Sequence, residues 1–592
     1  MCGILIYPKK NNIDKDFAAN LLKHRGPDAS GIEETKDIIF CHTLLQIRGE
    51  LKDSIQPKYS RSKRYLVLFN GQIYNTRYLN NLVKVENNDL DTNYILELIE
   101  KYGIDGVNYI DGMFALVVYD FKLNNLFFTR DPSGQKNLYY NFNSKNELTI
   151  SSEINPILKI LNNEVRLCKQ GVSEFFMIGF NSDKNTIYDK IFKLLPGEII
   201  QYSYESKKVI SKSLLSQKFN NSKLDIKKII SENIIDHLVS KKKISLNLSG
   251  GIDSNLILSE ILRSNINLDI FSTFCDTKQK DFNRDFYLAK NVAKKNNLNF
   301  FETIIDKKQY LENIQKVNEM LEEPSRNPSN TIYYLNFKNI SSHKNRSVLS
   351  GAGGDEVFIG YPIFFFNSKY QIILDKLNSV LDSKYLSKFL TKSIINFDGK
   401  YSLPKEFISN EIINSKKSVK SNFLDNFINF KNSFYPEKKY NSFNFLKLFC
   451  HQYSWLSNES FVSFDKMSMN QSIEVRAPFA SQNFRKNFLL YANNEHFKSK
   501  FNKPLIRSNY SNELDDNIIN NYKKTGWSTP KDWILSDEYK DILLDLLPSN
   551  NDLINWSVLK ERIIKNPDYM NKKFINSIVS FLFIKKKTNL NF

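Results

Sequence analysis

The sequence predicts two domains of different fold class: a β-rich N-terminal domain over 2–205 and an α/β domain with a parallel sheet over 222–592. Three observations support this division. A chain of 592 residues is too long for one compact core. Its first third consists of short apolar runs separated by Gly, Asn and Pro. After a polar stretch near 203–222, the pattern changes to helix, strand and helix.

The predicted elements follow in that order along the chain. In the first part, "RYLVLFNGQIYN", "GMFALVVYDFKLNNLFFTRD" and "NLYYNFNSKNELTISSE" predict strands joined by tight turns. In the second part, "KLDIKKIISENIIDHLV" predicts a helix, "KISLNLSGG" a buried strand with its loop, and "NLILSEILRSN" the next helix. Helical periodicity without recognisable chemistry over 365–445 predicts a helical insertion of unknown role.

The composition indicates which cellular compartment and which partners to expect. Five scattered cysteines without CxxC spacing indicate neither a disulfide framework nor a zinc site, and they fit a reducing compartment. The most apolar late stretch, "FINSIVSFLFIKKK", is shorter than the roughly 20 residues of a spanning helix. We therefore expect a soluble cytoplasmic protein with no membrane partner. The net charge of +19 comes from dispersed lysines, so a nucleic-acid partner is disfavoured.

A glycine-rich loop follows the strand "KISLNL" and predicts a phosphate site. Paired glycines let the backbone approach a ligand closely, and the N–H groups at the start of the next helix attract anions. The alternative, a plain strand–helix turn, explains N-cap residues but not the paired glycines. The motif resembles the pyrophosphate loop of ATP pyrophosphatases, which implies bound ATP with magnesium at Asp253. The predicted site consists of Ser249, Gly250, Gly251, Asp253 and Ser254.

A second acidic loop, "VLSGAGGDEVFIGY", repeats the pattern of an apolar strand running into glycines. It places Gly351 and Asp355 at the carboxyl end of a neighbouring parallel strand, where open α/β sheets bind ligands. Taken alone, the loop is equally well explained as a Gly-rich turn with solvated acids. Together with the first loop it predicts a single nucleotide site.

The amino terminus offers a candidate nucleophile. The chain begins "MCGILIYPKK", so removal of Met1 would place a thiol and a free α-amine on Cys2. A terminal amine, with a pKa of roughly 7.7–8.0, can act as the base for a neighbouring thiol. The alternative is a small buried side chain that only packs. The residues themselves leave both interpretations open.

Motifs in a fixed order give the chain a more specific resemblance. The first part contains "MCGI", "HRGPD", "NGQIYN", "DGMFALVVYD", "RDPSGQKNLYY" and "LPGE". The second contains "SGGIDS", "SGAGGDEVFIGY", "DKMSMNQSIEVRAPF", "NKPLIR" and "KKTGWSTP". In this order they resemble the glutamine-hydrolysing asparagine synthetase family. The resemblance implies an N-terminal-nucleophile glutaminase domain, with two antiparallel sheets between helical layers, and a synthetase domain with a doubly wound parallel sheet.

For the first domain, the resemblance implies that Cys2 attacks the side-chain amide of glutamine. Asn70 and Gly71 match the family's oxyanion donors, one through its side-chain amide and the other through its backbone N–H. Asp91 matches the aspartate that binds the α-amine of glutamine. These four residues are the predicted glutaminase site.

Two nearby positions depart from the family pattern. Leu44 stands where the family has the arginine that binds the glutamine carboxylate. We expect Arg48 to bind that carboxylate instead, because it lies four residues on and would share a strand face if the alternation continues. Gln72 stands where the family usually has Glu.

For the second domain, the resemblance implies transfer of AMP from ATP to a carboxylate, followed by attack of ammonia. Magnesium near Asp253 and Asp355 would neutralise the pyrophosphate, and Lys503 would stabilise the charge that develops. The expected cofactors are therefore ATP and Mg²⁺. Asp285 and Arg476 are further candidates, each equally well explained as a surface or ion-paired residue.

Three departures bear on the carboxylate acceptor. Ala352 occupies the place of an acid, "PFAS" at 478–481 replaces "PFLD", and "EPSRNPS" at 323–329 replaces "EPFxDPS". We expect all three on the acceptor side of the chemistry. The expected reaction converts aspartate to asparagine with glutamine as nitrogen donor. The alternatives are the same chemistry on another carboxylate, such as an acidic sugar or a metabolite precursor, and a non-catalytic relative. The assembly state stays open, with a homodimer as one option.

Overall fold

The computed structural model describes residues 2–11, 13–86, 89–162, 165–218, 225–365, 407–522, 528–565 and 572–588. Within these ranges the N-terminal half contains two antiparallel sheets and the C-terminal half one parallel sheet. The predicted insertion over 365–445 and the "KKTGWSTP" stretch lie partly outside the described residues.

The first sheet of the N-terminal half has the strand order β10-β8-β9-β1-β3-β2, and the second has β12-β11-β7-β6-β5-β4. The strands are β1 (Cys2–Pro8), β2 (Ala29–Glu34), β3 (Ile38–Leu44), β4 (Lys58–Tyr59), β5 (Tyr65–Ile73), β6 (Gly112–Asp120), β7 (Asn125–Arg130), β8 (Tyr139–Phe142), β9 (Leu148–Ser151), β10 (Ile191–Lys193), β11 (Glu198–Ser203) and β12 (Lys208–Leu214).

These two sheets pack face to face. Ile4 of β1 and Leu66 of β5 belong to one buried core, because alternate side chains of each sheet point into the space between the sheets. Helix Lys15–Asn20 packs on the outer face of the first sheet, and helix Asp91–Tyr102 packs on the outer face of the second. The predicted sandwich of two sheets between helical layers is confirmed.

The C-terminal sheet is parallel throughout, with the order β15-β14-β13-β16-β17. Its strands are β13 (Ile244–Asn247), β14 (Asp269–Cys275), β15 (Phe300–Ile305), β16 (Ser347–Leu349) and β17 (Glu474–Arg476). Successive strands extend the sheet first to one side of β13 and then to the other. The strand order therefore reverses between β13 and β16, and the loops after these two strands diverge to leave a crevice.

Helices surround these sheets. In the N-terminal half they are Lys15–Asn20, Leu51–Ser54, Thr76–Leu79, Asp91–Tyr102, Ile154–Ile160 and Lys169–Ile178. In the C-terminal half they are Ile226–Asp236, Ile252–Arg263, Arg284–Lys295, Lys307–Leu321, Asn330–Ser342, Asp355–Phe358, Asn410–Phe434, Phe443–His451, Phe461–Met469, Gln482–Leu489, Pro504–Asn509, Asp516–Ile519, Lys531–Ile534, Asp537–Leu546, Trp556–Lys565 and Lys572–Thr588. A π-helical stretch, Gln452–Ser460, joins Phe443–His451 to Phe461–Met469.

One strand extends beyond the expected boundary of the first domain, and the predicted insertion contacts that domain. Strand β12 pairs with β11 as far as Leu214, so the second sheet continues past residue 205. Helix Asn410–Phe434, in the predicted insertion, packs against Lys169–Ile178 of the N-terminal half, and its Asn426 amide donates to Asp183 at 3.0 Å. Among the described residues, no helix has the length and apolarity needed to span a membrane.

A buried ion network joins the two halves. Arg25 lies 2.9 Å from Glu153 in its own half and 2.9 Å from Asp465 on helix Phe461–Met469. Lys136 contacts the other oxygen of Asp465 at 3.3 Å. Burial alone would raise the pKa of Asp465, but Arg25 and Lys136 hold it below its ordinary value. Because Arg25 Nε also donates to the Cys2 carbonyl at 3.2 Å, the network ties the start of β1 to the C-terminal half.

Candidate active sites

Cys2 begins β1 close to the second sheet. Its backbone N–H donates to Asn70 Oδ1 on β5 at 2.9 Å. Asn70 Nδ2 is buried and has no hydrogen-bond partner among the described residues, as expected for a donor that awaits a developing oxyanion. A Cβ on Gly71 would lie 2.1 Å from the Met113 carbonyl oxygen, so the β5–β6 pairing requires glycine there. The structure therefore brings Cys2, Asn70 and Gly71 together.

The surroundings of the thiol keep it protonated at rest. Burial raises the pKa of Cys2, while the chain-terminal amine and the Leu45 backbone N–H oppose that rise. Glu474 of the C-terminal half adds to the rise through its negative charge. The thiolate is the reactive form, so a base must remove the thiol proton before Cys2 can act as a nucleophile.

Arg48 and Asp91 form an ion pair, with Arg48 Nη1 2.6 Å from Asp91 Oδ1. Arg48 does not lie on β3, as strand alternation predicted, because β3 ends at Leu44 and Arg48 lies in the loop that follows. Asp91 is the first residue of helix Asp91–Tyr102. Burial raises its pKa to about 6, with Arg48 opposing the rise. The pair offers one group of each sign, as the two ends of an α-amino acid require.

Arg476 lies between the two halves of the protein. Its Nε donates to Glu474 at 2.5 Å, and its Nη2 donates to Gln72 Oε1 at 3.2 Å. Burial would raise the pKa of Glu474, but Arg476 and the terminal amine hold it below its ordinary value. Arg476 is not among the described residues that line the nucleotide cavity, so its position supports a role at the domain interface.

The loop after β13, where the sequence predicts a phosphate site, is held in a tight turn by its own side chains. Ser249 N–H donates to Ser254 Oγ at 3.0 Å, and Gly251 N–H donates to Ser249 Oγ at 3.2 Å, which holds the turn ahead of helix Ile252–Arg263. A Cβ on Gly250 would lie 2.8 Å from the Asp285 Cα. Glycine at this position therefore allows helix Arg284–Lys295 to place Asp285 against the loop.

The two glycine-rich loops meet around Lys503. A Cβ on Gly351 would lie 2.8 Å from the Asp253 Cβ, so the loop after β16 packs directly on the loop after β13. Lys503 Nζ lies 2.5 Å from Asp253 and 2.9 Å from Asp355, and all three side chains are nearly buried. Lys503 has a left-handed backbone, with φ 56°, and its N–H donates to the Ile359 carbonyl at 3.1 Å.

The same two acids fit a divalent cation. Asp253 and Asp355 direct carboxylate oxygens to one point, and Mg²⁺ prefers such hard oxygen ligands. No cluster of three or more metal-ligating side chains occurs within the described ranges. Mg²⁺ is commonly bound by one or two carboxylates together with substrate phosphates and waters, so two acids are sufficient.

A cavity of about 650 Å³ opens over these loops. It is lined by most of the predicted nucleotide residues, which are Ser249, Gly251, Asp253, Ser254, Gly351, Asp355 and Lys503, and by the further candidate Asp285. Gly250 is not among the lining residues, and it acts instead through its close approach to Asp285.

The three sequence departures do not share one location. Ala352 and Asn327 line the cavity, each where the family pattern has an acid. The "PFAS" segment was wrongly expected there. Ala480 packs behind Ala352 in an apolar cluster, and Ser481 Oγ donates to Asp111 Oδ2 at 2.6 Å in the N-terminal half. Ser481 also accepts from Phe484 N–H at 3.2 Å and caps helix Gln482–Leu489.

Sequence reasoning missed the far wall of the cavity. We call this wall the distal end, and it consists of Phe180, Arg326, His451, Trp455 and Lys573. Arg326 stood inside the quoted "EPSRNPS" motif, so the departure at its neighbour was a usable signal. The others come from unrelated segments, including the π-helical stretch that holds Trp455. No local pattern marks them as a group.

The structure thus combines a thiol at the start of an antiparallel sandwich with a nucleotide cavity at the reversal point of a parallel sheet. This combination defines a two-domain amidotransferase of the ligase class. A family model for a glutamine amidotransferase domain matches residues 1–213, and a model for asparagine synthase matches residues 225–579. The chain therefore belongs to the asparagine synthase family, whose members use ATP, and the resemblance found in its sequence is confirmed.

Curated relatives are similar over much of the chain. Glutamine-hydrolysing asparagine synthetase 1 of Bacillus subtilis is 23% identical over 547 residues, which cover 87% of this chain and 84% of the relative. A putative asparagine synthetase of Methanocaldococcus jannaschii is 27% identical, over 61% of this chain and 76% of the relative. A probable asparagine synthetase of Dictyostelium discoideum is 28% identical, over 62% of this chain and 66% of the relative.

Proposed function

We propose that the protein transfers the amide nitrogen of glutamine to a carboxylate, with conversion of ATP to AMP and pyrophosphate. The observation that supports this most directly is the position of Lys503 between Asp253 and Asp355, in the cavity that also contains the Ser249 loop. A cation between two acids, beside a phosphate cradle, suits a reaction in which pyrophosphate departs.

In the glutaminase half, the α-amine of Cys2 accepts the thiol proton and the sulfur adds to the side-chain carbonyl carbon of glutamine. Asn70 Nδ2 and Gly71 N–H stabilise the oxyanion. The nitrogen receives the proton and leaves as ammonia, and water then cleaves the thioester to release glutamate. Arg48 and Asp91 hold the α-carboxylate and α-amine of the substrate.

In the synthetase half, an oxygen of the acceptor carboxylate attacks the α-phosphorus of ATP, and the bond to the β-phosphate oxygen breaks. Lys503 stabilises the charge that develops on the phosphates, and the Ser249 loop holds them through backbone N–H groups. Mg²⁺ bound at Asp253 and Asp355 would supply further neutralisation of pyrophosphate. Ammonia then attacks the acyl carbon, AMP departs, and loss of a proton leaves the amide.

Two acceptors are candidates. Aspartate is the first, since the curated relatives are named asparagine synthetases. A different carboxylate is the second, and Ala352 and Asn327 favour it, because both line the cavity without the acid that the family pattern has. Retention of Cys2 and the SGGIDS loop argues against a non-catalytic relative. A cytoplasmic location and a homodimer stay predictions.

The test measures transfer of the glutamine amide nitrogen and release of pyrophosphate in the same reaction. Purified protein receives ATP, Mg²⁺ and glutamine labelled with ¹⁵N in its amide, with L-aspartate or with no acceptor. Aspartate-dependent pyrophosphate release with labelled asparagine would establish the first candidate. Labelled ammonia and glutamate without aspartate-dependent pyrophosphate would favour the second. A protein that neither hydrolyses glutamine nor binds ATP would refute the proposal.

A further inference from the structure

The distal end of the cavity differs in charge from the nucleotide end. The carboxylates among the residues that line the cavity are Asp253, Asp285, Asp355 and Glu356. The first three lie at the glycine-rich loops and Lys503, and Glu356 accepts a hydrogen bond from the Tyr361 hydroxyl at 2.9 Å. The distal end itself contributes two cations, Arg326 and Lys573.

Ala352 and Asn327, the two positions that lack the family's acids, are both uncharged but have different surroundings. Ala352 packs against an apolar cluster that includes Leu456 and Phe464, so its surroundings suit an alkyl group. Asn327 Oδ1 accepts from the Ser329 N–H at 3.1 Å and so belongs to the local turn. Neither residue offers a carboxylate to an ammonium group of a bound acceptor, although both line the cavity.

Arg326 is held at the distal end by specific contacts. Its Nη1 donates to the Ile178 carbonyl at 2.9 Å, and its guanidinium lies 5.6 Å from the Phe180 ring and 5.2 Å from the Trp455 ring. A Cβ on Gly179 would lie 2.2 Å from the Arg326 Cδ. Gly179 leaves room for the Arg326 side chain, and the Phe180 and Trp455 rings hold its guanidinium in place.

His451 and Lys573 add to the same surface. Both ring nitrogens of His451 are buried and have no hydrogen-bond partner within the described ranges. Burial lowers the pKa of His451 to about 4, and Arg326 and Lys447 act in the same direction, so its ring is neutral at pH 7. Lys573 Nζ lies 5.6 Å from the Trp455 ring. Glu459, behind this surface, contacts Ser325. Burial raises its pKa to about 7, and the positive charges of Arg326 and Lys573 oppose that rise.

We propose that the acceptor is a molecule with two acidic groups and no ammonium group. One carboxylate is activated next to the Ser249 loop, and the second acidic group binds Arg326 and Lys573, with neutral His451 as a further hydrogen-bonding group. The proposal rests on the proposed function and names its substrate class. Ala352 and Asn327 give an ammonium group no carboxylate partner at their own positions, which disfavours aspartate against the same dicarboxylate without its amine.

L-aspartate and succinate provide the test, because they differ only in the amine. The full chain is saturated with Mg²⁺ and α,β-methylene-ATP, and the affinity of each dicarboxylate is read from the concentration dependence of the unfolding midpoint. Glutarate serves as a longer probe of the same class. We expect succinate or glutarate to bind at least about tenfold more tightly than L-aspartate. Equal or tighter binding of aspartate, or no binding of either amine-free acid, would overturn the proposal.

Two variants test which residues determine the preference between aspartate and the amine-free acids. Ala352→Asp should reverse the preference toward aspartate, because it supplies the missing partner of the ammonium. Arg326→Gln should weaken binding of the amine-free acids at least about tenfold. Arg61→Gln, whose side chain is 79% exposed, is the matched control and should bind all three acids as the parent does. A dicarboxylate effect that survives Arg326→Gln is a bulk anion effect and overturns the proposal.

Nucleotide binding and glutamine hydrolysis show whether a failed test contradicts the proposed function or only this inference. If α,β-methylene-ATP itself raises no midpoint, or glutamine is not hydrolysed, the proposed function fails. If both occur and aspartate is still preferred, only the substrate class is wrong.

Discussion

Replacement of Lys503 by Met tests the arrangement of charges at the nucleotide site. Lys503 is 3% exposed, and its Nζ lies 2.5 Å from Asp253 and 2.9 Å from Asp355. Methionine has a similar length but no charge, so two buried carboxylates would face each other without a cation. Loss of one partner from a buried ion pair costs about 3–5 kcal/mol, and we expect Lys503→Met to lie in that range.

The assay is thermal unfolding of the variant without nucleotide or Mg²⁺, at pH 8 and pH 5. At pH 8 the midpoint of the C-terminal domain should fall by about 5–10 °C. In the variant, burial and mutual repulsion raise a carboxylate pKa above its unfolded value, so the folded state binds a proton that the unfolded state has lost. The difference from the parent should therefore shrink as the pH falls. Mg²⁺ should restore part of the midpoint at pH 8, since the freed acids suit it.

Two controls make the result interpretable. Lys308→Met removes a side chain that is 83% exposed and should leave the midpoint unchanged. Adding Asp253→Asn to Lys503→Met removes the repulsion and should recover stability. A Lys503→Met protein with the parent midpoint at pH 8, and with no response to Mg²⁺, would refute the reasoning.

Three further predictions concern the N-terminal half and its interface. In a plot of log kcat/KM for glutamine against pH, the value should fall with slope one below the pKa of the terminal amine. Below about pH 6, where Asp91 loses its charge, the slope should become two. Asp91→Asn should remove this second slope. Arg25→Met and Asp465→Asn should each destabilise the folded chain by about 3–5 kcal/mol, and the double variant should cost clearly less than their sum in a denaturant-based cycle. Ser481→Ala loses a helix cap and the hydrogen bond to Asp111, so the free energy of unfolding should fall by about 1–3 kcal/mol and the thermal midpoint should fall with it. An unchanged midpoint would contradict this contact.

Local sequence was a reliable guide wherever one short segment contains both the element and its chemistry. The loop after β13 is an example, because an apolar strand, paired glycines and a helix start follow within about ten residues. The loop after β16 repeats this arrangement. The parallel sheet then brings both loops to one edge, which follows from the pattern alone.

Reasoning from local pattern failed where side-chain direction depended on an element boundary. Arg48 was expected from strand alternation, yet β3 ends at Leu44 and the loop that follows delivers Arg48 to Asp91. The "PFAS" segment was expected at the acceptor, yet Ser481 contacts Asp111 of the other half. Strand ends and domain docking are set by packing against distant residues, so neither can be read from adjacent positions.

By itself, the sequence determined the family and the order of the two domains, and it predicted the residues of the nucleotide site and of the glutaminase site. These depend on residue types at short spacings, and short spacings constrain the backbone directly. Only the tertiary structure decided that Ala352 and Asn327 share a cavity with Arg326, His451 and Lys573. That surface is assembled from separate segments of the chain, and its charge depends on which side chains the fold brings within reach of one another.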